Sequence, residues 1–487
     1  MSEFYYTILS TDKNTDMTSN QNCHAINPLQ FIRNERRKIM NSRELQETFL
    51  SDKAKTLLHH PQGMGNYFTF KSAVDILGLD WDELLPNGIY NVTGKGYYDM
   101  GYMANLIGPP ESAVEAMKQH CTIDELKVYP PDCLPELKKL VAEEKFGRKL
   151  GDDFTVLGVE GAQGGIGYTY MTFLDPGDEV ITTDPAYFHF VPGAQINGAI
   201  IKPIKLGPHN GFKLDPEEVE KAITPKTKMI VVCDPINPFG VVATKEELLA
   251  IADIARRNNV LIFNNVTHNT HKTEPSANQI PMAMLHTPET PMDHVISVSG
   301  ISKGYGMPAL RVGFMAGHPA LIRGAFLLKM ETTKIHINYP GQYAALAAMH
   351  DHAYVERSTE IIRRNYLHIE ETVNRTEGVS IPVKPEYGFC MIIDVGGTGV
   401  SAQEIACGLL NNHIAAITGD GLGDVGATTY IRLNYSHPDI ACVETFREAL
   451  PKAIEEAKSG KYRQAVIDFF AKTGTERGKR IIEELQK

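Results

Sequence analysis

One lysine of the chain stands where a covalent cofactor could be held. Lys303 ends the segment 299–303, which reads SGISK, and Arg311 follows eight residues later. The amine of a lysine can form a Schiff base with an aldehyde, and a guanidinium can hold a phosphate through paired hydrogen bonds. Pyridoxal phosphate (PLP) carries these two groups at opposite ends of one small ring. The pair therefore indicates a PLP site.

A glycine-rich segment is a second candidate for phosphate binding. Gly161, Ala162 and Gln163 follow a predicted strand at 154–159 and precede a predicted helix at 166–173. Glycines let the backbone approach an anion, and the start of a helix offers free N–H groups and the positive end of its dipole. The alternative is a tight strand–helix turn without a ligand.

Two further motifs follow predicted strands. Tyr187 comes after a strand at 179–183 and can lie over a flat ring, although core packing is the commoner role of such an aromatic residue. Asn237 lies between Pro235 and Pro238 after the strand 228–233. The prolines hold this turn rigid, so the amide of Asn237 can donate to a fixed acceptor such as a phenolate oxygen.

An arginine in the C-terminal part is a candidate carboxylate ligand. Arg432 lies in the short strand 430–435 between apolar residues, which predicts that it is partly buried. An unpaired buried charge is costly, and a carboxylate bound through two hydrogen bonds would satisfy it. A structural salt bridge is the alternative.

The elements that must position these residues alternate between strand and helix from about residue 130. The pattern predicts helices at 134–146, 216–222 and 245–258 and further strands at 199–204, 260–263 and 295–298. This alternation indicates an α/β fold with a mostly parallel sheet, in which ligands bind beyond the carboxyl ends of the strands. Helices predicted at 321–334 and 342–372 lead to a smaller C-terminal α+β part.

Composition narrows the class of protein. The chain of 487 residues has 43% hydrophobic and 22% charged residues, which is typical of a soluble globular protein. Its net charge of −11 argues against nucleic-acid binding. Seven scattered cysteines form no metal-ligand pattern and fit a reducing compartment. No signal peptide or membrane-spanning run is evident, so we expect a cytoplasmic protein without metal or membrane partners.

Taken together, the motifs resemble the PLP-dependent aminotransferases of class I/II, the aspartate-aminotransferase-like superfamily of fold type I. The resemblance covers about residues 98–455 and rests on the order and spacing of Gly161-Ala162, Tyr187, Asn237-Pro238, Lys303, Arg311 and Arg432. It implies the PLP-dependent transferase fold type I, with a mostly parallel central sheet in a large domain and a smaller α+β domain.

The same resemblance divides the chain into four parts. Residues 1–95 are expected to be a helical, partly flexible N-terminal extension, and residues 96–128 a segment that joins the small domain. Residues 129–340 would form the large PLP-binding domain, and residues 341–487 the C-terminal small domain.

The resemblance also implies roles at the cofactor. Lys303 is the Schiff-base lysine and the base that moves a proton from the substrate. Arg311 and the segment 161–163 hold the phosphate, with Ser302 as a further cofactor contact. Tyr187 stacks on the ring, and Asn237 binds its phenolic oxygen.

Other implied roles concern the substrate and a second subunit. Arg432 binds the α-carboxylate of an amino-acid substrate, and Asn105 and Gly108 line the substrate side. Tyr129 resembles the tyrosine that reaches the phosphate of the neighbouring subunit, since the family works as a homodimer with shared active sites.

The chain departs from the family at the ring nitrogen. The family expects an acidic residue after the strand 260–263 and a tyrosine three residues later, and this chain has Asn264 and Thr267 there. No Asp or Glu occurs between Arg256 and Lys272. We take Asn264 and Thr267 as the cofactor-binding residues. A neutral amide can donate to an unprotonated ring nitrogen, which is then a weaker electron sink.

Three functions therefore remain open. An aminotransferase acting on an α-amino acid is the expectation. A PLP-dependent lyase, decarboxylase or oxidative deaminase of specialised metabolism is the alternative. A cofactor-binding protein without turnover is disfavoured by the retained Lys303 and Arg432. His189 and His268 could assist, with packing as the alternative role for each.

Overall fold

The structure is a computed structural model that describes residues 46, 48, 50–58, 71–79 and 96–486. Most of the expected N-terminal extension, residues 1–95, lies outside these ranges. Within them are helices α1 (Asp52–Leu58) and α2 (Lys71–Leu77). Helix α2 buries Val74 against the C-terminal helical part, so this piece of the extension packs on the small domain.

A seven-stranded sheet forms the centre of the chain. After a short strand β1 (Tyr98–Asp99), its strands are β2 (Thr155–Glu160), β3 (Glu179–Asp184), β4 (Ile200–Lys205), β5 (Thr227–Cys233), β6 (Leu261–Asn265), β7 (Val295–Gly300) and β8 (Val312–Gly317). Their spatial order is β2-β8-β7-β6-β5-β3-β4, and only β8 runs antiparallel to its neighbours. The predicted mostly parallel sheet is confirmed.

Helices cover both faces of this sheet. In chain order, the helices of this part of the chain are α3 (Glu111–Gln119), α4 (Ile123–Leu126), α5 (Pro135–Phe146), α6 (Gly161–Phe173), α7 (Phe190–Gln195), α8 (Pro216–Ala222), α9 (Lys245–Arg257), α10 (Ile301–Gly304), α11 (Pro319–Thr332), α12 (Tyr339–His350) and α13 (His352–Arg375). Of these, α4 has no buried residue, and most of α13 packs in the smaller part. Helix α6 begins five residues earlier than predicted, because its first turn consists of the glycine-rich segment itself.

The two faces have separate cores, which we name the α6 face and the α9 face. On the α6 face, Phe263 and Val298 pack with the buried residues of α6, α7 and α11. On the α9 face, Val232 and Ile262 pack with α8 and α9. Successive side chains of a strand point to opposite faces, so β3 to β7 contribute to both cores. Strands β2 and β8 contribute to the α6-face core and, on their other side, to a third core with α5 and α12. The α/β layers expected from the sequence follow from this alternation.

The smaller part contains two short sheets. Strands β9 (Cys390–Asp394), β11 (Ile417–Thr418) and β12 (Tyr430–Asn434) form an antiparallel sheet, and β1 pairs in parallel with β10 (Ile414–Ala415). Helices α13, α14 (Ala402–Asn411) and α15 (Ala441–Lys458) enclose this core, followed by α16 (Arg463–Thr473) and α17 (Glu476–Leu485).

The predicted helix 342–372 is two helices. Asp351 separates α12 from α13 and caps α13, because its carboxylate accepts a hydrogen bond from the N–H of Tyr354 at 2.9 Å. Helix α12 packs in the core of the large sheet through Ala344 and Ala345. This packing favours a domain boundary after α12 rather than at residue 340. The four-part division of the chain stays a prediction.

Candidate active site

Lys303 lies in the single turn of α10, directly after β7. Its amine donates a hydrogen bond to the backbone carbonyl of Met103, and its own carbonyl accepts one from Asn105 Nδ2 at 3.0 Å. Segment 103–105 therefore fixes this lysine from the side of the small domain. The segment 299–303 consists of the end of β7 followed by the single helical turn of α10.

The environment of Lys303 makes its amine easy to deprotonate. Burial, with the positive charges of Arg432 and Arg311, lowers the pKa of Lys303 from 10.5 to about 7. Burial disfavours the charged form, and nearby cations add to the effect. A neutral amine is the form that attacks an aldehyde, so this lysine is prepared for that reaction near neutral pH.

Arg311 and the start of α6 are in direct contact. Arg311 donates from Nη2 to the carbonyl of Glu160 at 2.9 Å and from Nη1 to that of Pro308 at 3.2 Å. Its side chain is exposed, which leaves other N–H groups open to a ligand. The first N–H groups of α6 have no partner within the helix. The structure thus brings the predicted phosphate-binding residues together.

Gly161 is the residue that allows this approach. Its φ is +66°, and a Cβ atom there would lie 2.7 Å from Cζ of Arg311. Gly313 is equally close, since a Cβ atom on it would lie 2.7 Å from Cα of Gly161. Backbone of this kind suits an anion cradle because no side chain fills it.

We expect Gly161→Ala to lower the free energy of unfolding by about 1–3 kcal/mol, because a left-handed alanine is strained and its Cβ displaces Arg311. Gly167→Ala is the matched control in the same helix, since nothing lies within 4 Å of that position. The control should raise stability by about 0.5–1 kcal/mol. Urea unfolding measures both. Equal stability of the two variants would contradict the close contact of Gly161 with Arg311.

Tyr187 is held over the start of α6. Its hydroxyl donates to Oε1 of Gln163 at 3.5 Å, and its ring lies 5.3 Å from the ring of His189 in an edge-on arrangement. Both residues lie in the loop between the end of β3 and the start of α7. Ser302 is buried beside Lys303. These predicted residues therefore surround the same end of the sheet.

Arg432 is buried without a carboxylate partner. It donates from Nη1 to Oδ1 of Asn237 at 3.2 Å and from Nη2 to the carbonyl of Gly101 at 3.0 Å, and its Nε is buried without a partner. Among the described residues no carboxylate lies within ion-pair distance of this guanidinium. Arg432 therefore forms no structural salt bridge within the described part of the chain. An anionic ligand would satisfy its remaining N–H groups.

The turn that carries Asn237 is anchored by a buried carboxylate. Asp234 accepts hydrogen bonds from the N–H of Ala243 at 2.8 Å and from Nε2 of Gln279 at 2.9 Å. Burial raises the pKa of Asp234 to about 7. These contacts fix the turn, so that Asn237 meets Arg432 across the boundary between the two domains.

The substrate-side segment has two different contacts. Asn105 is buried and fixes the backbone of Lys303, while its Oδ1 accepts from the N–H of Ile107 at 3.2 Å. Gly108 has a φ of +84°, and its carbonyl accepts a hydrogen bond from the hydroxyl of Tyr354. Asn105 thus acts on the lysine through the backbone in this structure.

The two residues predicted at the ring nitrogen and phenolic oxygen have contrasting surroundings. Asn264 is fully buried, donates from Nδ2 to the carbonyl of Val232 at 3.1 Å and accepts at Oδ1 from the N–H of Met282 at 3.2 Å. Thr267 is buried with no partner for Oγ1 among the described residues. The contacts of Asn264 are made on the α9 face, away from α6, which argues against the cofactor contact predicted for it.

Two histidines lie near the lysine. Burial and the charge of Lys303 lower the pKa of His189 to about 4. Burial, Lys303 and Arg432 lower that of His268 to about 3. Both imidazoles are therefore neutral at physiological pH. Nδ1 of His268 is buried and has no partner in the described part of the chain.

Tyr129 stands apart from these residues. It is 82% exposed, and its ring lies 5.2 Å from that of His336. The neighbouring Ile123, Leu126 and Val128 are also exposed. A single chain therefore does not bring Tyr129 to the site, and its predicted contact with a second subunit stays a prediction.

The residues present fit PLP. A buried amine with a low pKa, an open guanidinium beside a helix start, and orphaned polar atoms on Thr267, His268 and Arg432 lie around one end of the sheet. The described residues contain no cluster of His, Cys, Asp and Glu that could hold a metal ion.

Two contacts were not predictable from residue types. The carbonyls of Met103 and Gly101 accept hydrogen bonds from Lys303 and Arg432, and a backbone carbonyl leaves no signal in the sequence. His268, named from the sequence as a residue that could assist, lies near Lys303.

Comparisons with known proteins identify the family of the chain. Residues 95–450 match the family model "Aminotransferase class I and II". The probable aspartate/prephenate aminotransferase of Thermus aquaticus is 29% identical over 354 residues, which cover 71% of this chain and 86% of that protein. The aspartate/prephenate aminotransferase of Cereibacter sphaeroides is 30% identical over 299 residues, or 59% of this chain and 72% of that protein.

Solved structures show the same fold. The aspartate aminotransferase of Thermus thermophilus with maleate has a TM-score of 0.68 at 23% identity, covering 83% of this chain and 99% of that one. The alanine aminotransferase of Pyrococcus furiosus has a TM-score of 0.69 at 22% identity, covering 84% and 100%.

The chain belongs to the class I and II aminotransferases. The predicted family, fold type and aminotransferase-like enzyme are thereby confirmed. No helix among the described residues combines the length and apolar character needed to cross a membrane. The cytoplasmic location stays a prediction.

Proposed function

We propose that this protein binds PLP and transfers the amino group of an α-amino acid. The observation that carries the proposal is the half-buried Lys303, whose amine donates to the carbonyl of Met103 and whose pKa is lowered to about 7 by desolvation and by Arg432 and Arg311. The positive charges of Arg432 and Arg311 disfavour a third cation at Lys303, because like charges destabilise one another. An anionic cofactor and an anionic substrate would remove that cost.

Each part of the cofactor has a proposed ligand. Arg311, Gly161, Ala162 and Gln163 would hold the phosphate, with Ser302 beside them. Tyr187 would cover the ring, and the amide of Asn237 would donate to the phenolic oxygen. The contact between Tyr187 and Gln163 supports this arrangement, because it ties the ring-covering residue to the phosphate-binding segment.

Lys303 would have two tasks. It would hold the cofactor covalently, and after the substrate amine takes its place it would accept the proton from the α-carbon. PLP supplies the electron sink for the electrons that this proton leaves behind. An amine with a pKa near 7 suits proton transfer at neutral pH, because a base is most effective when its pKa is close to the working pH.

Arg432 would orient the substrate through its α-carboxylate. The guanidinium is fixed by Asn237 and by the Gly101 carbonyl, so the free N–H groups have a defined direction. Asn105 and Gly108 would border the substrate side. We further propose a homodimer, in which the exposed Tyr129 reaches the phosphate of the partner subunit's site.

A second candidate function is a different PLP reaction, namely elimination, decarboxylation or oxidative deamination. The observation that favours it is the end of β6, where the family's acid and tyrosine are missing and residues 264–268 read NNVTH. Without a carboxylate beside it, the ring nitrogen is a weaker electron sink.

A panel of amino acids, each tested with and without a keto acid, separates these reactions. Aminotransferase activity predicts a new amino acid only when the keto acid is present, with no release of CO2, ammonia or peroxide. Release of ammonia or CO2 without a keto acid supports the second candidate. Absence of any product with PLP-loaded protein would contradict both.

The capture of PLP by cofactor-free protein should depend on pH with a midpoint near 7. Only the neutral amine reacts with an aldehyde, and the pKa of Lys303 is lowered to about 7, so the rate should rise to pH 7 and level off by about pH 8. Stopped-flow absorbance after mixing with PLP measures this rate. A rate that still climbs about tenfold per unit at pH 9 would indicate an ordinary lysine and contradict the burial argument.

A further inference from the structure

The two asparagines at the end of β6 point to opposite faces of the sheet. The ring of Phe263 lies 5.9 Å from that of Tyr170 and 5.8 Å from that of Phe190, both on the α6 face. Side chains alternate along a strand. Asn265 therefore shares the α6 face with Phe263, and Asn264 lies on the α9 face.

The strand register gives the same result independently. Asn265 is paired with Val298 of β7, and a Cβ atom on Gly165 of α6 would lie 2.9 Å from Cγ1 of Val298. On its other side Asn265 is paired with Cys233, which packs in the α6-face core. Asn265 thus lies on the face that carries the phosphate-binding start of α6.

The hydrogen bonds of Asn264 leave little for a ligand. Both ends of its carboxamide are bound to backbone groups, at Val232 and Met282, and the residue is fully buried. A ligand would have to displace these bonds in a closed core, at a cost of about 1–3 kcal/mol for each group left unpaired.

The hydrogen bond of Asn265 leaves its donor end available. Oδ1 accepts from the N–H of Thr267 at 3.1 Å, which fixes the orientation of the carboxamide, since only the oxygen can accept. Nδ2 then points away from this contact with two N–H groups. The side chain is 5% exposed, so this donor is enclosed within the protein.

We propose that Asn265, and not Asn264, presents its Nδ2–H to the pyridine nitrogen of the cofactor. The proposal rests on PLP binding at this site. An amide donor needs a lone pair on the ring nitrogen, so the nitrogen stays unprotonated. Both candidates are asparagines, so the kind of group at the ring nitrogen is the same for either residue. Only the structure distinguishes which of the two positions supplies it.

The same shift selects His268 instead of Thr267 as the residue beside the phenolic oxygen. The ring of His268 lies beside Gly388 and makes an edge-on contact with the ring of Phe389, 5.4 Å away. Its Nδ1 is buried there and has no hydrogen-bond partner among the described residues. Its pKa is lowered to about 3 by burial and by Lys303 and Arg432, so the imidazole stays neutral and can donate one hydrogen bond.

The experiment uses protein loaded with PLP that carries ¹⁵N in the ring, observed by NMR between pH 6 and 9. The wild type should show an unprotonated ring nitrogen throughout. Asn265→Asp should give a protonated nitrogen, because a carboxylate stabilises the pyridinium. Asn264→Asp is the matched control and should keep the wild-type signal.

The outcomes separate the two proposals. Failure of the wild type to bind PLP contradicts the proposed function. Two results with PLP-loaded protein overturn the assignment to Asn265. One is a protonated ring nitrogen only in Asn264→Asp, and the other is the same protonation state of the ring nitrogen in both variants. If Asn265→Asp does not fold, Asn265→Ser serves instead and should weaken PLP binding about tenfold, while Asn264→Ser should not. Equal affinities of the two serine variants also overturn it.

His268 has a separate test in the absorbance of the bound cofactor. His268→Phe should shift the pH midpoint of that absorbance by about 0.5–1 unit, the equivalent of one lost hydrogen bond. Thr267→Val is the isosteric control and should leave the midpoint in place. A shifted midpoint in Thr267→Val alone would assign the role to Thr267. An unchanged midpoint in both variants would show that His268 does not contact the phenolic oxygen.

Discussion

Lys303→Ala should abolish covalent PLP binding and lower turnover by at least about 10⁴-fold. The proton-transfer role alone contributes about 10²–10⁴-fold in enzymes that use such a base, and the covalent hold is lost as well. The effect is expected to be large because the amine is fixed by the carbonyl of Met103 and its pKa is already lowered to about 7. Steady-state turnover and the visible spectrum of the purified variant measure both losses.

Lys145→Met is the control for the loss of a lysine amine elsewhere in the protein interior. Lys145 is also buried, donates to Oγ1 of Thr270 at 2.8 Å, and has a pKa lowered to about 8 by burial. It lies 5.0 Å from the centre of the Tyr305 ring, outside the proposed cofactor contacts. The control should keep its spectrum. A fully active Lys303→Ala variant would show that another group does the chemistry.

Arg432→Ala should weaken binding of the amino-acid substrate by about 30-fold to several thousand-fold, equivalent to about 2–5 kcal/mol. The guanidinium is buried, its Nε is unpaired, and no described carboxylate lies within ion-pair distance of it, so the substrate carboxylate is its expected partner. The charge also depresses the pKa of Lys303. The pH midpoint of PLP capture should therefore rise in the same variant. Substrate titration and the capture rate give the two readouts.

Arg447→Ala is a matched substitution in the same domain. Arg447 is partly exposed, donates to Glu371 at 2.8 Å, and makes no contact with the residues proposed to bind the cofactor or substrate. Its removal should change substrate affinity little, because exposed ion pairs contribute about 0–1 kcal/mol. If both variants bind substrate as the wild type does, Arg432 does not bind the carboxylate.

Much of the fold was predictable because its signals are local. The helix 216–222 was predicted to the residue and β5 to within one residue, since the first has an aspartate cap before Pro216 and the second is a continuous apolar run. The start of α6 was predicted too late. Glycines weaken a helix by propensity, and here packing against β7 and β8 outweighs that preference.

The site was predictable where one residue type carries the chemistry. Lys303, Arg311, Asn237 and Arg432 were found from type and order, and the structure brings them to one end of the sheet. Asn264 and Asn265 could not be told apart, because a change of one residue in strand register reverses the face and leaves the composition unchanged. The carbonyls that orient Lys303 and Arg432 belong to segment 101–103, which no side-chain motif marks.

The end of β6 gives the chain its individual character within the family. Asn265 and His268 would leave the ring nitrogen unprotonated and place a neutral imidazole near the reacting centre. An unprotonated ring nitrogen is a weaker electron sink than a carboxylate-bound pyridinium. We therefore expect slower transamination than a site with an acid at this position would give, at about tenfold for each 1.4 kcal/mol of lost stabilisation.

The most direct test is reduction of the PLP-loaded protein with borohydride, followed by peptide mapping by mass spectrometry. Reduction makes a covalent lysine–cofactor bond permanent. The account predicts one pyridoxyl-phosphate adduct, on the peptide containing Lys303. An adduct on a different lysine, or none on a protein shown to be folded and incubated with PLP, would contradict it.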